Sequence, residues 1–241
     1  MTARRAALHV AQSAQHAVAE RGRFTVAFSG GSTPAGMFDE LVDHDLPWPR
    51  VHVLQVDERA APDGHGDRNL TLLRQRLLDR VPVPSDNVHP MAATDDDLER
   101  AARQYADTLR TTCGDPPVLD LVHLGLGTDG HTASLILGDP VLDVDDRDVA
   151  ATGPYRGWRR LTLTLPVIDR ARRILWLVAG AEKAPAVRRL VDADASIPAA
   201  RVSPGRAILL VDTAAAATIG ATRTAPDSLH AGDRQPPGDR P

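Results

Sequence analysis

The chain has 241 residues, 42% hydrophobic and 25% charged, with a formal net charge of −4 and 3% aromatics. That is an ordinary globular composition, long enough for one large domain or two small ones. It supplies neither a basic field nor stacking platforms, which sets nucleic acid aside as a partner. Cys113 is the only cysteine, which excludes an internal disulfide and a Cys-based metal cluster. No apolar run is long enough to span a bilayer. His9, Gln12, Gln15 and His16 interrupt the alanine-rich start where a signal peptide needs an apolar core. The expectation is a soluble cytoplasmic protein without a membrane partner. The basic residues are nearly all arginine, Lys183 being the only lysine.

In chain order, residues 3–21 read as an amphipathic helix ending at Gly22. RFTVAFSGG (23–31) is a short β-rich run closed by two glycines. A helix follows to about His44, opened by Pro34 with Ser32 or Thr33 as its cap. VHVLQVDE (51–58) is a second apolar run, followed by a polar loop and a helix through LTLLRQRLLDRV. The segment TDDDLERAARQYADTLRTT has an acidic start and an arginine near its end, which suits a helix dipole. LDLVHLGLG (119–127), RLTLTLP (160–166), RRILWLVAG (172–180) and GRAILLVD (205–212) read as further strands, with a helix beginning near Glu182. Strands alternating with helices imply a single α/β domain over residues 1–221, with a mainly parallel sheet covered on both faces. Residues 222–241, rich in proline and small polar residues, read as a disordered tail.

In an open parallel sheet, ligands bind outside the carboxyl ends of the strands. SGGST (29–33), DER (57–59), GTDGHT (127–132) and GAEK (180–183) all fall at such ends, so four polar clusters converge on one edge. SGGSTP has free N–H groups at a helix start, a phosphate cradle or else a plain glycine turn with a cap. Asp129 and His131 stand on a tight turn after a strand, where a neutral imidazole is matched to proton transfer or simply braces the loop. Lys183 reads as a phosphate ligand or a solvated lysine. Arg59 reads as a second cation for the ligand or as an ion-pair partner of Asp57 or Glu58. Two other patterns overlap these motifs. Ala27-Phe28-Ser29-Gly30-Gly31 approximates the nucleophile elbow of a serine hydrolase, but the only histidine after His131 is His230, in the tail. Gly125, Gly127 and Gly130 fit G-x-G-x-x-G without a well-placed acidic residue on a following strand. No residue spacing resembles a metal site, and no cofactor is expected.

SGGSTP, VDER, LGLGTDGHTASL, RLTLTLP and LVAGAEKA, in this order, resemble the 6-phosphogluconolactonases over about residues 4–220, a family within a superfamily that includes glucosamine-6-phosphate deaminase. The resemblance implies a Rossmann-like α/β fold and cytosolic hydrolysis of 6-phospho-D-glucono-1,5-lactone, a small phosphorylated substrate, in the oxidative pentose phosphate pathway. By motif, Gly30, Gly31, Ser32, Thr33 and Gly127 would hold substrate, and Asp57 and Arg59 would line the pocket. His131 would be the base, oriented by Asp129 or Asp57, and Arg160 and Lys183 would hold phosphate. A monomer or weak homo-oligomer is expected. The deaminases follow Asp-Gly-His with Phe-Asn-Glu and carry an aromatic at the position of Arg59. Here Ile136 stands at that glutamate position, which favours the lactonase over a deaminase/isomerase. A catalytically silent sugar-phosphate sensor on the same fold is the alternative of a different class. Three departures from the family pattern are the Ile136-Leu137 pair in place of Phe-Pro, Arg68 where a serine usually precedes Asn69, and a start directly on a helix without a preceding strand.

Overall fold

The computed structural model describes residues 1–220, so the expected tail at 222–241 lies outside the described residues. Fifteen named elements carry the fold. They are α1 (Thr2–Arg21), β1 (Phe24–Phe28), α2 (Ser32–Val42), β2 (Val51–Gln55), β3 (Asp57–Arg59), α3 (Asn69–Arg76), β4 (Val88–His89) and α4 (Leu98–Cys113). There follow β5 (Leu121–Leu124), β6 (Val149–Ala151), β7 (Arg160–Leu163), α5 (Leu165–Arg170), β8 (Ile174–Val178), α6 (Ala184–Val191) and β9 (Ala207–Val211).

Six strands form one parallel sheet in the order β4-β2-β1-β5-β8-β9. Side-chain alternation along each strand divides the core in two, because successive residues point to opposite faces. On β1, Phe24, Val26 and Phe28 go to one core and Ala27 to the other; on β8, Leu175 and Leu177 oppose Ile174, Trp176 and Val178. The first face is covered by α1, α2 and α3, the second by α4, α5 and α6. This is the expected α/β architecture with helices on both faces. In α1 the buried stripe is Ala6, Ala7, Val10, Ala11, Ala14 and Ala17, small side chains that let the helix lie close to the sheet. The helix ends where expected, with Gly22 at φ 75° and its N–H on the Val18 carbonyl, a left-handed cap that glycine adopts without strain.

Two expectations about local structure are corrected. The run 51–58 is not one strand. It leaves the main sheet at Val56, and Asp57–Arg59 enters a separate antiparallel sheet of order β3-β7-β6. Val56 joins the two, its N–H bonded to the Phe28 carbonyl at 3.0 Å and its carbonyl accepting from Leu163 at 2.8 Å. At the start of α2 neither Ser32 nor Thr33 is the cap. Gly31 holds that position at φ 109° and no side chain caps the helix, so its first N–H groups are left for another acceptor.

Strand order reverses between β1 and β5: the chain moves from β1 outward through β2 to β4, then returns to β5 on the other side. That reversal opens a crevice at the carboxyl ends of β1 and β5. The loops Ser29–Gly31 and Gly125–Thr132 emerge there.

Candidate active site

A cleft of about 300 Å³ occupies that crevice. Gly30, Gly31, Ser32, Thr33, Asp57, Arg59, Gly127, His131, Arg160 and Lys183 all line it, so each expected site residue except Asp129 reaches its wall. Asp129 stands directly behind His131. Size does not single the cleft out: a hollow of about 710 Å³ lies at the opposite ends of the strands, lined by Arg21, Arg23, Arg50 and Arg172 among others. That hollow contains no paired acid and base of the kind described next.

Asp129 and His131 are placed by a tight turn, in which Gly130 N bonds Gly127 O at 3.0 Å and Gly127 N bonds His131 O at 2.8 Å. Asp129 Oδ1 lies 2.5 Å from His131 Nδ1 and accepts from the His131 backbone N–H at 3.2 Å. A carboxylate only accepts, so Nδ1 carries a proton, and in the neutral imidazole it is Nε2 that has the lone pair. The imidazole is 19% exposed and the carboxylate 43%. Partial burial raises the Asp129 pKa, but hydrogen bonds from Tyr155 and His131 outweigh it and hold the carboxyl well below the usual carboxylate range. A Cβ on Gly127 would come within 2.1 Å of His131 Nδ1 and 2.4 Å of Asp129 Oδ1. Glycine here is required by the closeness of the pair.

Asp57, the other candidate for orienting His131, is engaged elsewhere. Ser134 Oγ donates to its Oδ2 at 2.6 Å, and Asn69 Nδ2 donates to its Oδ1 at 3.1 Å and to its carbonyl at 2.9 Å. Burial pushes its pKa up, against the opposing pull of Ser134, Arg59 and Arg160. Arg59 pairs with neither Asp57 nor Glu58, as the sequence had allowed. Its Nη1 donates to Asn69 Oδ1 at 3.1 Å and to the Asp67 carbonyl. Glu58 instead is fully buried and accepts from the backbone N–H groups of Arg59, Asn69 and Leu70 at 2.8–2.9 Å. It thereby fixes the start of α3 and the position of Asn69. Arg68, the departure from the usual serine, is buried beside it, with Nε 3.3 Å from Glu58 and Nη1 2.7 Å from Asp63.

Arg160 is 4% exposed. Its Nη atoms reach Ser134 Oγ and the Tyr155 carbonyl, each at 3.4 Å, while its Nε has no partner. Burial pulls its pKa down. A buried guanidinium so thinly partnered is costly unless an anion completes it. Lys183 faces the same cleft from a 3₁₀ turn (Ala181–Lys183) that precedes α6.

The two competing motifs do not assemble. The Ser29 hydroxyl is buried and donates to the His123 carbonyl at 3.0 Å. His123 is itself fully buried, its pKa pushed down to about 3 by burial. After Gly130 no helix opens: Thr132 and Leu135 bridge in a tight turn, so the glycines lack the helix start that a dinucleotide fingerprint needs. Sequence reading missed Asn69, Ser134, Tyr155 and Arg156. Tyr155 donates to Asp129 Oδ2 at 2.7 Å, and Arg156 lines the cleft.

A family model for glucosamine-6-phosphate isomerases/6-phosphogluconolactonase matches residues 1–211. The chain belongs to this family. It is 42% identical over 204 residues to a 6-phosphogluconolactonase of Synechocystis sp., covering 81% of this chain and 85% of that one. It is 38% identical over 217 residues to one of Mycobacterium tuberculosis, covering 84% and 88%. Among solved structures, a 6-phosphogluconolactonase from Thermotoga maritima aligns with TM-score 0.76 at 26% identity, covering 85% of this chain and 92% of that one. A monomeric glucosamine-6-phosphate deaminase shares the fold at TM-score 0.77 and 20% identity, over 90% and 95%. Overall shape therefore does not separate the two activities of the family. Ile136, the residue that the sequence resemblance sets against a deaminase glutamate, is 8% exposed.

Proposed function

We propose that the chain is a 6-phosphogluconolactonase, hydrolysing 6-phospho-D-glucono-1,5-lactone to 6-phospho-D-gluconate. The observation that carries this reading is the Asp129–His131 pair facing a cleft with four cations, Arg59, Arg156, Arg160 and Lys183. An apolar residue at 136 removes the carboxylate that ring opening and isomerisation of an amino sugar would use.

A δ-lactone is an activated ester, so one base and a placed water are enough chemistry for its hydrolysis. His131 Nε2 takes a proton from water as the oxygen attacks C1 of the lactone. The tetrahedral oxyanion forms near N–H groups and guanidinium charge, which stabilise it. The C1–O bond to the ring oxygen then breaks, and the imidazolium returns its proton to that oxygen as the sugar hydroxyl. The new carboxylic acid ionises and leaves. General-base assistance of this kind contributes about 10²–10⁴-fold. The phosphate end sits among Arg160, Lys183 and the uncapped N–H groups at the start of α2, which orients C1 against the water.

No helix among the described residues is long and apolar enough to cross a membrane. A cytoplasmic location and action as a monomer or weak homo-oligomer go with this reading. The test is the appearance of 6-phosphogluconate from fresh lactone, with the spontaneous rate subtracted, in the wild type and in His131→Ala. Wild-type excess that falls about 10²–10⁴-fold in a folded His131→Ala variant supports the base. Unchanged activity in that variant removes His131 from the mechanism.

A further inference from the structure

The segment between β6 and β7 forms a two-residue hairpin whose Arg156 lines the cleft. Tyr155 N bonds Trp158 O at 2.9 Å and Trp158 N returns to Tyr155 O at 3.3 Å. The two central residues, Arg156 at φ 51° and Gly157 at φ 87°, both lie in the left-handed region. This is the geometry of a tight hairpin whose twist matches its strands, although a non-glycine residue adopts it at a cost. The hairpin is pinned on both sides. Trp158 Nε1 donates to Asp67 Oδ2 at 3.0 Å, and its ring meets His65 edge-on at 5.5 Å between centroids. On the other side Tyr155 Oη donates to Asp129 Oδ2 at 2.7 Å, and its ring meets His131 edge-on at 5.5 Å. The guanidinium carbons of Arg156 and Arg160 each stand 5.1 Å from the centre of the Tyr155 ring.

These contacts divide the Asp129 carboxylate: Oδ2 takes the tyrosine hydroxyl, while Oδ1 takes His131 Nδ1 and the His131 backbone N–H. Asp129 is 43% exposed and lies on a turn, so its own backbone does not prevent the carboxylate from rotating towards water. The tyrosine does. We infer that Tyr155 is a positioning residue of the active site, locking the Asp129 carboxylate so that it holds His131 in the tautomer that leaves Nε2 as the base. This rests on the reading of His131 as the base. The hydroxyl bonds Oδ2 and the imidazole bonds Oδ1, so the hydroxyl acts on His131 through the carboxylate.

The experiment combines kinetics with ¹⁵N NMR of the histidine rings in wild type, Tyr155→Phe and His131→Ala. The phenylalanine variant keeps the ring, and with it the packing against His131, Arg156 and Arg160, while removing the hydroxyl. The expected result is a kcat for the lactone lowered about tenfold, with KM within about twofold. The His131 ring signals, assigned by their loss in His131→Ala, should move from an Nδ1–H tautomer towards a mixture. A wild-type kcat with an unchanged tautomer, or a change confined to KM, overturns the proposal. The readouts also separate it from the base reading. If His131→Ala stays active, the base is wrong, while the tautomer shift in Tyr155→Phe still reports whether Tyr155 orders the pair.

Discussion

Arg59 and Arg160 are direct cross-strand partners in the β3–β7 ladder, with Asp57 opposite Thr162 two residues away. Like charges directly opposite are destabilising in a sheet, and Arg160 is buried as well. The arrangement makes physical sense once an anion enters between them. Both guanidinia line the cleft, so the register of a three-residue strand brings two positive charges to one cleft.

Arg160→Met should therefore separate binding from stability. Loss of a charge-assisted contact raises KM for the lactone about 10- to 100-fold. Replacing this thinly partnered buried charge with an apolar chain of similar volume removes its own burial cost and leaves the buried Asp57 to Arg59, Ser134 and Asn69, so the fold changes little in stability. Steady-state kinetics beside a thermal melt reads both, and a lowered Tm with unchanged KM would remove the anion role. Lys183→Ala should also raise KM, likewise without a gain in Tm because Lys183 is only partly buried.

Gly127→Ala tests the closeness of the Asp129–His131 pair. The added methyl would overlap both side chains, and Gly127 is not among the residues with positive φ, so the effect is steric rather than conformational. The expected kcat loss approaches that of His131→Ala. Wild-type kcat in a folded Gly127→Ala protein would show that the pair tolerates a wider separation than 2.5 Å.

The Asp129 pKa makes a signed statement about pH. A carboxyl held below its unfolded value contributes stability that is fully present above the unfolded pKa, about 3.9. That contribution is lost as pH falls through the lower folded pKa. The Tm difference between wild type and Asp129→Asn should be open above about pH 5 and close below about pH 4. Thermal melts across that range check it; a gap that widens on acidification contradicts the direction of the shift. Because the group is partly exposed, the difference is small and sensitive to salt.

Local chemistry was legible in the chain. Asp129 and His131 are two residues apart on a glycine turn, so their pairing needs nothing beyond that turn. The glycines and hydroxyls after β1 and the apolar runs of β1, β5, β8 and β9 likewise declare themselves, because period and punctuation are properties of contiguous residues. The sequence by itself thus determined the parallel sheet and the strand ends where the polar clusters gather, and it left open whether Asp129 or Asp57 orients His131.

Tertiary structure alone decided how the rest of the cleft is held. The run 51–58 looks continuous because Val56 is as buried as its neighbours, and hydrophobic pattern does not record a strand changing sheets. That change puts Arg59 opposite Arg160 and brings Ser134 to Asp57 across 77 positions of sequence. It also explains why Asp57, which looks equivalent to Asp129 in the chain, is occupied elsewhere. Tyr155 reaches Asp129 across 26 positions through a hairpin whose Arg-Gly centre carries no strong turn signal. Sequence spacing determines what meets within one turn; what meets between elements depends on sheet register, which exists only after the chain has packed.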